Sequence, residues 1–186
     1  MLLSLFSVED AMSDNENTTN EFKWENLGNI KEGRLDLGEE MPVLVYRLLQ
    51  FTVLDVLTKE LGAENANDVF RDAGFIAGEQ FAKNVLDLEV DFNTFLVNLQ
   101  QKLSELKIGI LSMESQNADT GEITLTVAQD LDCSGLPTTN ETVCNYDEGF
   151  ISGIFFAFTG VKYNVKEIDC WATGAKICRF KATIVK

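Results

Sequence analysis

Three stretches in the first two thirds of the chain repeat apolar residues at the spacing of an amphipathic helix. The pattern predicts helices over about residues 41–61, 65–84 and 91–106. Gly62 is a natural stop for the first helix, and Asp91 is a natural N-cap for the third. The middle of the chain is therefore expected to be helical.

The first predicted helix is apolar over a wider stripe than a single core contact requires. Val45, Leu48 and Val56 lie on its central face, and Leu44 and Leu54 lie beside them. We expect most of this stripe to be buried in the domain's own core. The excess is expected to pack on a second surface, either a subunit partner or a ligand pocket.

Small residues recur at helical spacing in two helices. Gly74 and Gly78 lie four residues apart in the second helix and allow another helix to approach closely. A final helix, over about residues 145–158, has Gly149 and Gly153 at the same spacing. Because each glycine costs a helix about 1 kcal/mol relative to alanine, we expect the small stripe of the final helix to lie close against the sheet.

After Glu105 the apolar period shortens to two, which is typical of strands. The predicted strands cover about residues 106–114, 122–128, 163–170 and 176–184, and a turn at residues 117–121 joins the first two as an antiparallel hairpin. Helices followed by antiparallel strands predict an α+β fold with four strands.

Composition and charge narrow the functional classes. At 186 residues the chain fits one domain, and its polar start predicts a disordered tail over residues 1–24 and a single domain over residues 25–186. A formal charge of −15 makes nucleic acid and anionic membranes poor partners. No apolar run approaches the roughly 18 residues that span a bilayer. The start lacks the basic residues of a secretory signal, so we expect a cytoplasmic protein without membrane insertion.

The chain has no histidine, which excludes Ser-His and Cys-His catalytic pairs and leaves cysteine and carboxylate side chains as metal ligands. The last quarter of the chain contains Cys144, Glu167, Cys170 and Cys178, which a fold could gather around one zinc ion. Two disulfides, Cys133 with Cys144 and Cys170 with Cys178, are an alternative that a reducing compartment disfavours. Separate buried thiols are the third interpretation, and spacing alone does not separate it from zinc.

Local structure would bring part of this set together. A hairpin that turns at residues 172–175 places the sulfurs of Cys170 and Cys178 opposite each other. Glu167 and Cys170 are three residues apart, so a joint site requires a bulge or a strand end between them. A site with four protein ligands has no open position for water, so one structural zinc per chain is expected.

These residues carry a resemblance to a known family. The segment from Cys144 to Gly153, the Glu167-x-x-Cys170 pair and the Gly174-x-x-x-Cys178 pair resemble the 4-vinyl reductase domain family of predicted hydrocarbon-binding proteins. The resemblance implies the fold that this family shares with a transport-particle subunit family. In that fold helices pack on an antiparallel sheet and enclose an apolar pocket.

The resemblance also bears on ligands. The family's sensor domains in phenol-responsive activators hold zinc with three cysteines and one glutamate, at spacing similar to Cys144, Glu167, Cys170 and Cys178. Those sensors orient phenol with a pocket histidine, which this chain does not have. The resemblance therefore implies a zinc site here and a less polar ligand than phenol.

Three functional hypotheses follow. The first is a homodimeric module that binds or senses a small hydrophobic molecule, aromatic or lipid-like, with Phe75, Phe95 and Phe155 as pocket candidates, and that passes its signal to another protein. The second is an enzyme or accessory protein of vinyl reduction in tetrapyrrole metabolism. The chain has no G-x-G-x-x-G dinucleotide motif, so a role without catalysis is favoured. The third is a scaffold subunit, whose pocket would be filled by its own side chains.

Overall fold

The computed structural model describes residues 21–186, which form helices and one antiparallel sheet. The helices are α1 (Ile30–Gly33), α2 (Val43–Leu61), α3 (Ala63–Val85), α4 (Phe92–Glu105) and α5 (Asn145–Thr159). The strands are β1 (Ile110–Gln116), β2 (Ile123–Ala128), β3 (Tyr163–Asp169) and β4 (Cys178–Ile184). Two short 3-10 helices, Trp24–Leu27 and Trp171–Thr173, complete the described elements.

The sheet confirms the predicted α+β class. Its strand order is β1-β2-β4-β3, and every neighbouring pair is antiparallel. The β1–β2 hairpin turns through residues 117–121, where the Asn117 side chain accepts hydrogen bonds from the backbone of Asp119 and Thr120. The β3–β4 connection is wider than a tight hairpin, because the second 3-10 helix lies between the two strands.

The main core lies between the sheet and two helices. Strand β2 alternates buried and half-buried residues, as a strand with one face in the core does. The buried residues of α4 and α5 belong to the same apolar cluster as those of the sheet. The fully buried large side chains of this core include Phe95 of α4, Phe155 of α5 and Phe180 of β4.

Helices α3 and α5 cross so closely that their backbones touch. A Cβ added at Gly74 or Gly78 of α3 would collide with carbonyl oxygens of α5, and one added at Gly149 or Gly153 of α5 would collide with carbonyl oxygens of α3. The predicted close approach of the second helix is therefore correct. The expectation that the small stripe of the last helix lies against the sheet is wrong, because that stripe faces α3 and the sheet receives the large side chains of α5.

Helix α2 differs from the expectation of burial in the domain's own core. None of its residues is buried, and Leu44, Leu48 and Leu49 are 76%, 62% and 66% exposed. The helix lies at the margin of the described fold, where it contacts α3. Its apolar face is wider than that contact and is left open in the single chain.

Two further expectations meet the structure only in part. Residues 1–20 of the predicted tail lie outside the described residues. Within residues 21–186, none of the helices combines the length and the apolarity that crossing a bilayer requires.

The crossing of α3 and α5 predicts a strict requirement for glycine. We expect Gly153→Ala to lower the free energy of unfolding by about 3 kcal/mol, because the new methyl group collides with the Phe75 carbonyl and two helix backbones must separate. Urea denaturation followed by circular dichroism measures this loss. The matched control is Gly33→Ala, where an added Cβ has open space; equal stability of the two variants would contradict the close crossing.

Candidate functional site

Four cysteines converge at one end of the sheet. The Sγ atoms of Cys133, Cys144, Cys170 and Cys178 all lie within 4.8 Å of one another, and all four side chains are buried. The Sγ atom of Cys144 is 3.9 Å from that of Cys170 and 3.9 Å from that of Cys178, while the Sγ atoms of Cys133 and Cys178 are 3.0 Å apart. All four are free thiols, so the structure has neither of the two disulfides that the even count allowed.

Three of these cysteines stand at the ends of regular elements. Cys144 directly precedes α5, Cys170 directly follows β3, and Cys178 is the first residue of β4. The register of β3 against β4 shifts between Glu167 and Asp169, which is the irregularity that a joint site was predicted to need. Backbone geometry thus turns Cys170 towards the other thiols.

Cys133 reaches the cluster from the loop after β2. The Oδ1 atom of Asp130 accepts hydrogen bonds from the backbone N–H groups of Asp132 (2.8 Å) and Cys133 (3.2 Å) and closes a tight turn. Sequence reasoning assigned this cysteine only a role in disulfides. The aspartate three residues before it is the signal of a turn that could have indicated its fixed position.

Glu167 lies beside the cluster and outside the group of mutually close ligand atoms. Its Oε2 atom accepts a hydrogen bond of 3.1 Å from the backbone N–H of Cys144. Its Oε1 atom is buried and has no hydrogen-bond partner among the described residues. Burial, with a smaller contribution from Cys170, raises the pKa of Glu167 to about 8. Of the four predicted ligands, the structure therefore brings the three thiols together and adds Cys133.

A second buried glutamate, Glu148 of α5, fixes the position of Glu167. Its Oε2 atom accepts hydrogen bonds from Arg71 Nε of α3 (2.7 Å) and Lys166 Nζ of β3 (3.1 Å). Its Oε1 atom accepts the backbone N–H of Glu167 at 2.9 Å. One carboxylate therefore connects α3, α5 and β3 next to the cysteines.

The thiols influence one another's protonation. Hydrogen bonds from Cys133, Cys144 and Cys178 lower the pKa of Cys170, which favours a thiolate there. The pKa values of Cys144 and Cys178 are raised, in both cases first by their interaction with Cys133. Because zinc binds thiolates, a metal ion at this position would displace the remaining protons.

A cavity of about 610 Å³ opens between the first 3-10 helix, α2, α3 and α5. Most of its wall is apolar and includes Phe22, Trp24, Ala77, Phe81, Ile108 and Phe150. Phe22 and Trp24 belong to the last four residues of the predicted tail, which the structure does describe. The cavity has the size and the lining of a site for a small molecule.

One end of the cavity is polar. Asp132 lines it and accepts hydrogen bonds from Tyr46 Oη (2.7 Å) and Gln50 Nε2 (2.8 Å). Asp147 also lines it, and its Oδ2 atom is buried without a hydrogen-bond partner among the described residues. Burial raises the pKa of Asp147, and the nearby charges of Asp130 and Asp132 raise it further. The polar end thus already concentrates negative charge.

The loop with Cys133 lies between the cavity and the thiols. Leu131 and Asp132 face the cavity, and Cys133 faces the other cysteines. Arg47 of α2 holds this loop, since its Nε donates to the Leu131 carbonyl (2.8 Å) and its Nη2 to the Ser134 carbonyl (2.9 Å). Cavity, loop and cysteine cluster therefore form one connected site.

The three phenylalanines proposed for the pocket from the sequence lie outside this cavity. Phe95 and Phe155 are fully buried between helices and sheet, and Phe95 stacks on Phe158 with ring centroids 3.9 Å apart. Phe75 packs on Phe156, with ring centroids 5.5 Å apart. The phenylalanines of the cavity are Phe22, Phe81 and Phe150. Periodicity marked buried rings correctly but carried no information on which side of a helix faces the core and which faces a cavity.

The region that contains the cysteine cluster has a recognisable family pattern. Residues 123–184 match the 4-vinyl reductase domain. This match confirms the predicted resemblance, and the matched region covers the sheet from β2 onwards, all of α5 and all four cysteines.

Solved structures show the same fold beyond the matched region. The phenol-responsive sensory domain of the transcription activator PoxR, solved with phenol, has a TM-score of 0.60 at 16% identity, with 80% of this chain and 78% of that chain covered. A vinyl-4-reductase family protein from Methanocaldococcus jannaschii has a TM-score of 0.56 at 13% identity, with 83% and 88% covered. Trafficking protein particle complex subunit 3 from Naegleria fowleri, covalently bound to palmitic acid, has a TM-score of 0.57 at 12% identity, with 78% and 98% covered. The predicted fold family, including its relation to transport-particle subunits, is confirmed.

The bridging position of Glu148 predicts a large effect of its removal. We expect Glu148→Ala to lower the free energy of unfolding by about 3 kcal/mol, because Arg71 and the buried N–H of Glu167 lose their partner. Thermal and urea denaturation measure the loss. The matched control is Glu105→Ala, which removes an exposed ion pair with Lys102 and should cost less than about 1 kcal/mol. A similar small loss in both variants would contradict the bridging role.

Proposed function

We propose that this domain binds a small, largely apolar molecule in the cavity between α2, α3 and α5 and acts as a sensor of that molecule. The observation that carries the proposal is the cavity itself, about 610 Å³ in volume with a wall that is mostly apolar. Pockets for small molecules commonly have volumes of about 300–1,000 Å³. A scaffold subunit was expected to fill this space with its own side chains, so the open cavity favours binding.

Proteins of the same fold support this proposal. The PoxR sensory domain was solved with phenol, and the trafficking complex subunit was solved with palmitic acid attached. Both ligands have an apolar body. The fold therefore accommodates apolar molecules in other proteins, and we propose the same general use in this chain.

The polar end of the cavity narrows the ligand class. Asp132 and Asp147 present carboxyl groups there, and Asp147 has a buried oxygen without a partner among the described residues. A ligand with a hydroxyl group can donate a hydrogen bond to such an oxygen, whereas a ligand carboxylate would add negative charge to an acidic site. We therefore propose a neutral ligand with an apolar body and a hydrogen-bond donor at one end.

A structural zinc ion is the second part of the proposal. Cysteine sulfurs are preferred zinc ligands, and the cluster joins the loop after β2, the start of α5 and the β3–β4 connection. The fit rests on the donor set, since four buried thiols lie within 4.8 Å of one another. Zinc bound there would hold the loop that forms part of the cavity wall.

Filling the cavity should abolish binding. We expect an alkylphenol to raise the melting temperature of the wild-type protein and to leave Ala77→Trp unchanged, because the indole occupies the space beside Phe81 and Phe150. Differential scanning fluorimetry and isothermal titration calorimetry measure the effect. Ala63→Trp, at the exposed start of α3, is the matched control and should bind as the wild type does.

Three probes of equal carbon skeleton test the ligand class in the same assay. The alkylphenol should bind more tightly than the alkylbenzene, and the corresponding benzoate should bind most weakly. Equal binding of all three probes to the wild type and to Ala77→Trp would place the interaction outside the cavity. No binding of any apolar probe would contradict the proposed function.

We further propose that the domain is a homodimer that buries the open face of α2. Leu44, Leu48 and Leu49 form an exposed apolar face on this helix, and a large exposed apolar patch commonly marks an interaction surface. A second copy presents the same face and could cover it symmetrically.

A charge on this face should separate the subunits. We expect the wild type to be a dimer and Leu48→Asp to be a monomer with unchanged circular dichroism, because a carboxylate would be buried without a partner in the interface. Size-exclusion chromatography with light scattering measures the mass. The control is Val97→Asp on α4, since Val97 is apolar and 59% exposed but lies on a different helix. A wild-type monomer, or dissociation by both variants, would contradict this interface.

A further inference from the structure

We propose that Cys133, and not Glu167, supplies the fourth zinc ligand, so that four thiolates hold the metal ion. This inference rests on the zinc site proposed above and specifies its ligands. The expected set from the sequence was Cys144, Glu167, Cys170 and Cys178. The structure offers a different fourth donor.

The distances between the sulfurs carry the inference. Zinc with four sulfurs at about 2.3 Å places the corners of a regular tetrahedron about 3.8 Å apart. The Sγ atom of Cys144 lies 3.9 Å from those of Cys170 and Cys178, which is close to that edge. Cys133 completes the group, with its Sγ atom 3.0 Å from that of Cys178 and within 4.8 Å of the other two. A small outward movement of Cys133 would complete the tetrahedron.

Glu167 has a different position. Its carboxylate is outside the mutually close group, and its Oε2 atom already accepts the Cys144 backbone N–H. Three thiolates with one carboxylate and four thiolates have the same total charge, so electrostatics does not decide between the two sets. Geometry favours the thiol, which leaves Glu167 as a positioning residue that orients the start of α5 and, through it, Cys144.

The loop holds Cys133 in place before any metal binds. Asp130 accepts the backbone N–H of Cys133, and Arg47 binds the carbonyls on either side of it, at Leu131 and Ser134. A ligand whose backbone is already fixed loses little conformational entropy on binding. A free, mobile loop cysteine would not have this advantage.

The decisive experiment is X-ray absorption at the zinc edge on the full-length wild-type protein, purified under reducing conditions with zinc. We expect one zinc per chain and four sulfur neighbours at about 2.3 Å. Three sulfurs and one oxygen neighbour would overturn the role of Cys133 and leave the zinc site intact. A protein without bound zinc would overturn the zinc site as well, so the two failures are distinguishable.

Two variants give an independent reading. Glu167→Gln keeps an oxygen that can accept the Cys144 N–H, so it should retain one zinc with four sulfur neighbours. Cys133→Ser should show three sulfur neighbours or lose the metal. If Cys133→Ser does not fold, the wild-type spectrum and Glu167→Gln still decide. Loss of zinc from Glu167→Gln, with its fold retained, would contradict the proposal.

Discussion

The direct contact between the backbones of α3 and α5 determines the arrangement of the other elements. Glycines on both helices remove the side chains that would separate them, so each helix rests on carbonyl oxygens of the other. Helix α5 can then present its phenylalanines to the sheet on one side and to the cavity on the other. The loss of helix propensity at these glycines is offset by packing that no residue with a Cβ permits.

The start of α5 is where the fold and the chemistry of the site meet. Cys144 directly precedes the helix, Asp147 lines the cavity and Glu148 binds α3 and β3, all within the first turns. Glu167 receives its position from Glu148 and in turn accepts the N–H of Cys144. A short segment therefore sets the positions of a thiol, a cavity wall and a buried ion pair at once.

Periodicity predicted the elements well because burial of one face imposes it on the sequence. The second helix was expected over residues 65–84 and extends over Ala63–Val85, and the four strands lie where a period of two indicated them. Periodicity does not state what covers a face, so the glycine stripe of α5 was assigned to the sheet, and the pocket phenylalanines were not found. Cys133 was missed because its place depends on a loop that Asp130 closes and that α2 holds from more than 80 positions away in the chain.

The attachment of α2 has a consequence for how this domain can communicate. The helix buries no residue of its own, and Tyr46, Arg47 and Gln50 connect it to the loop after β2 through hydrogen bonds. Directional bonds of this kind break over short displacements, whereas the interlocked backbones of α3 and α5 resist sliding. Mechanical compliance is therefore concentrated in one helix, whose inner side faces the cavity and whose outer side faces the surroundings. Such a helix converts the contents of the cavity into the shape of the outer surface.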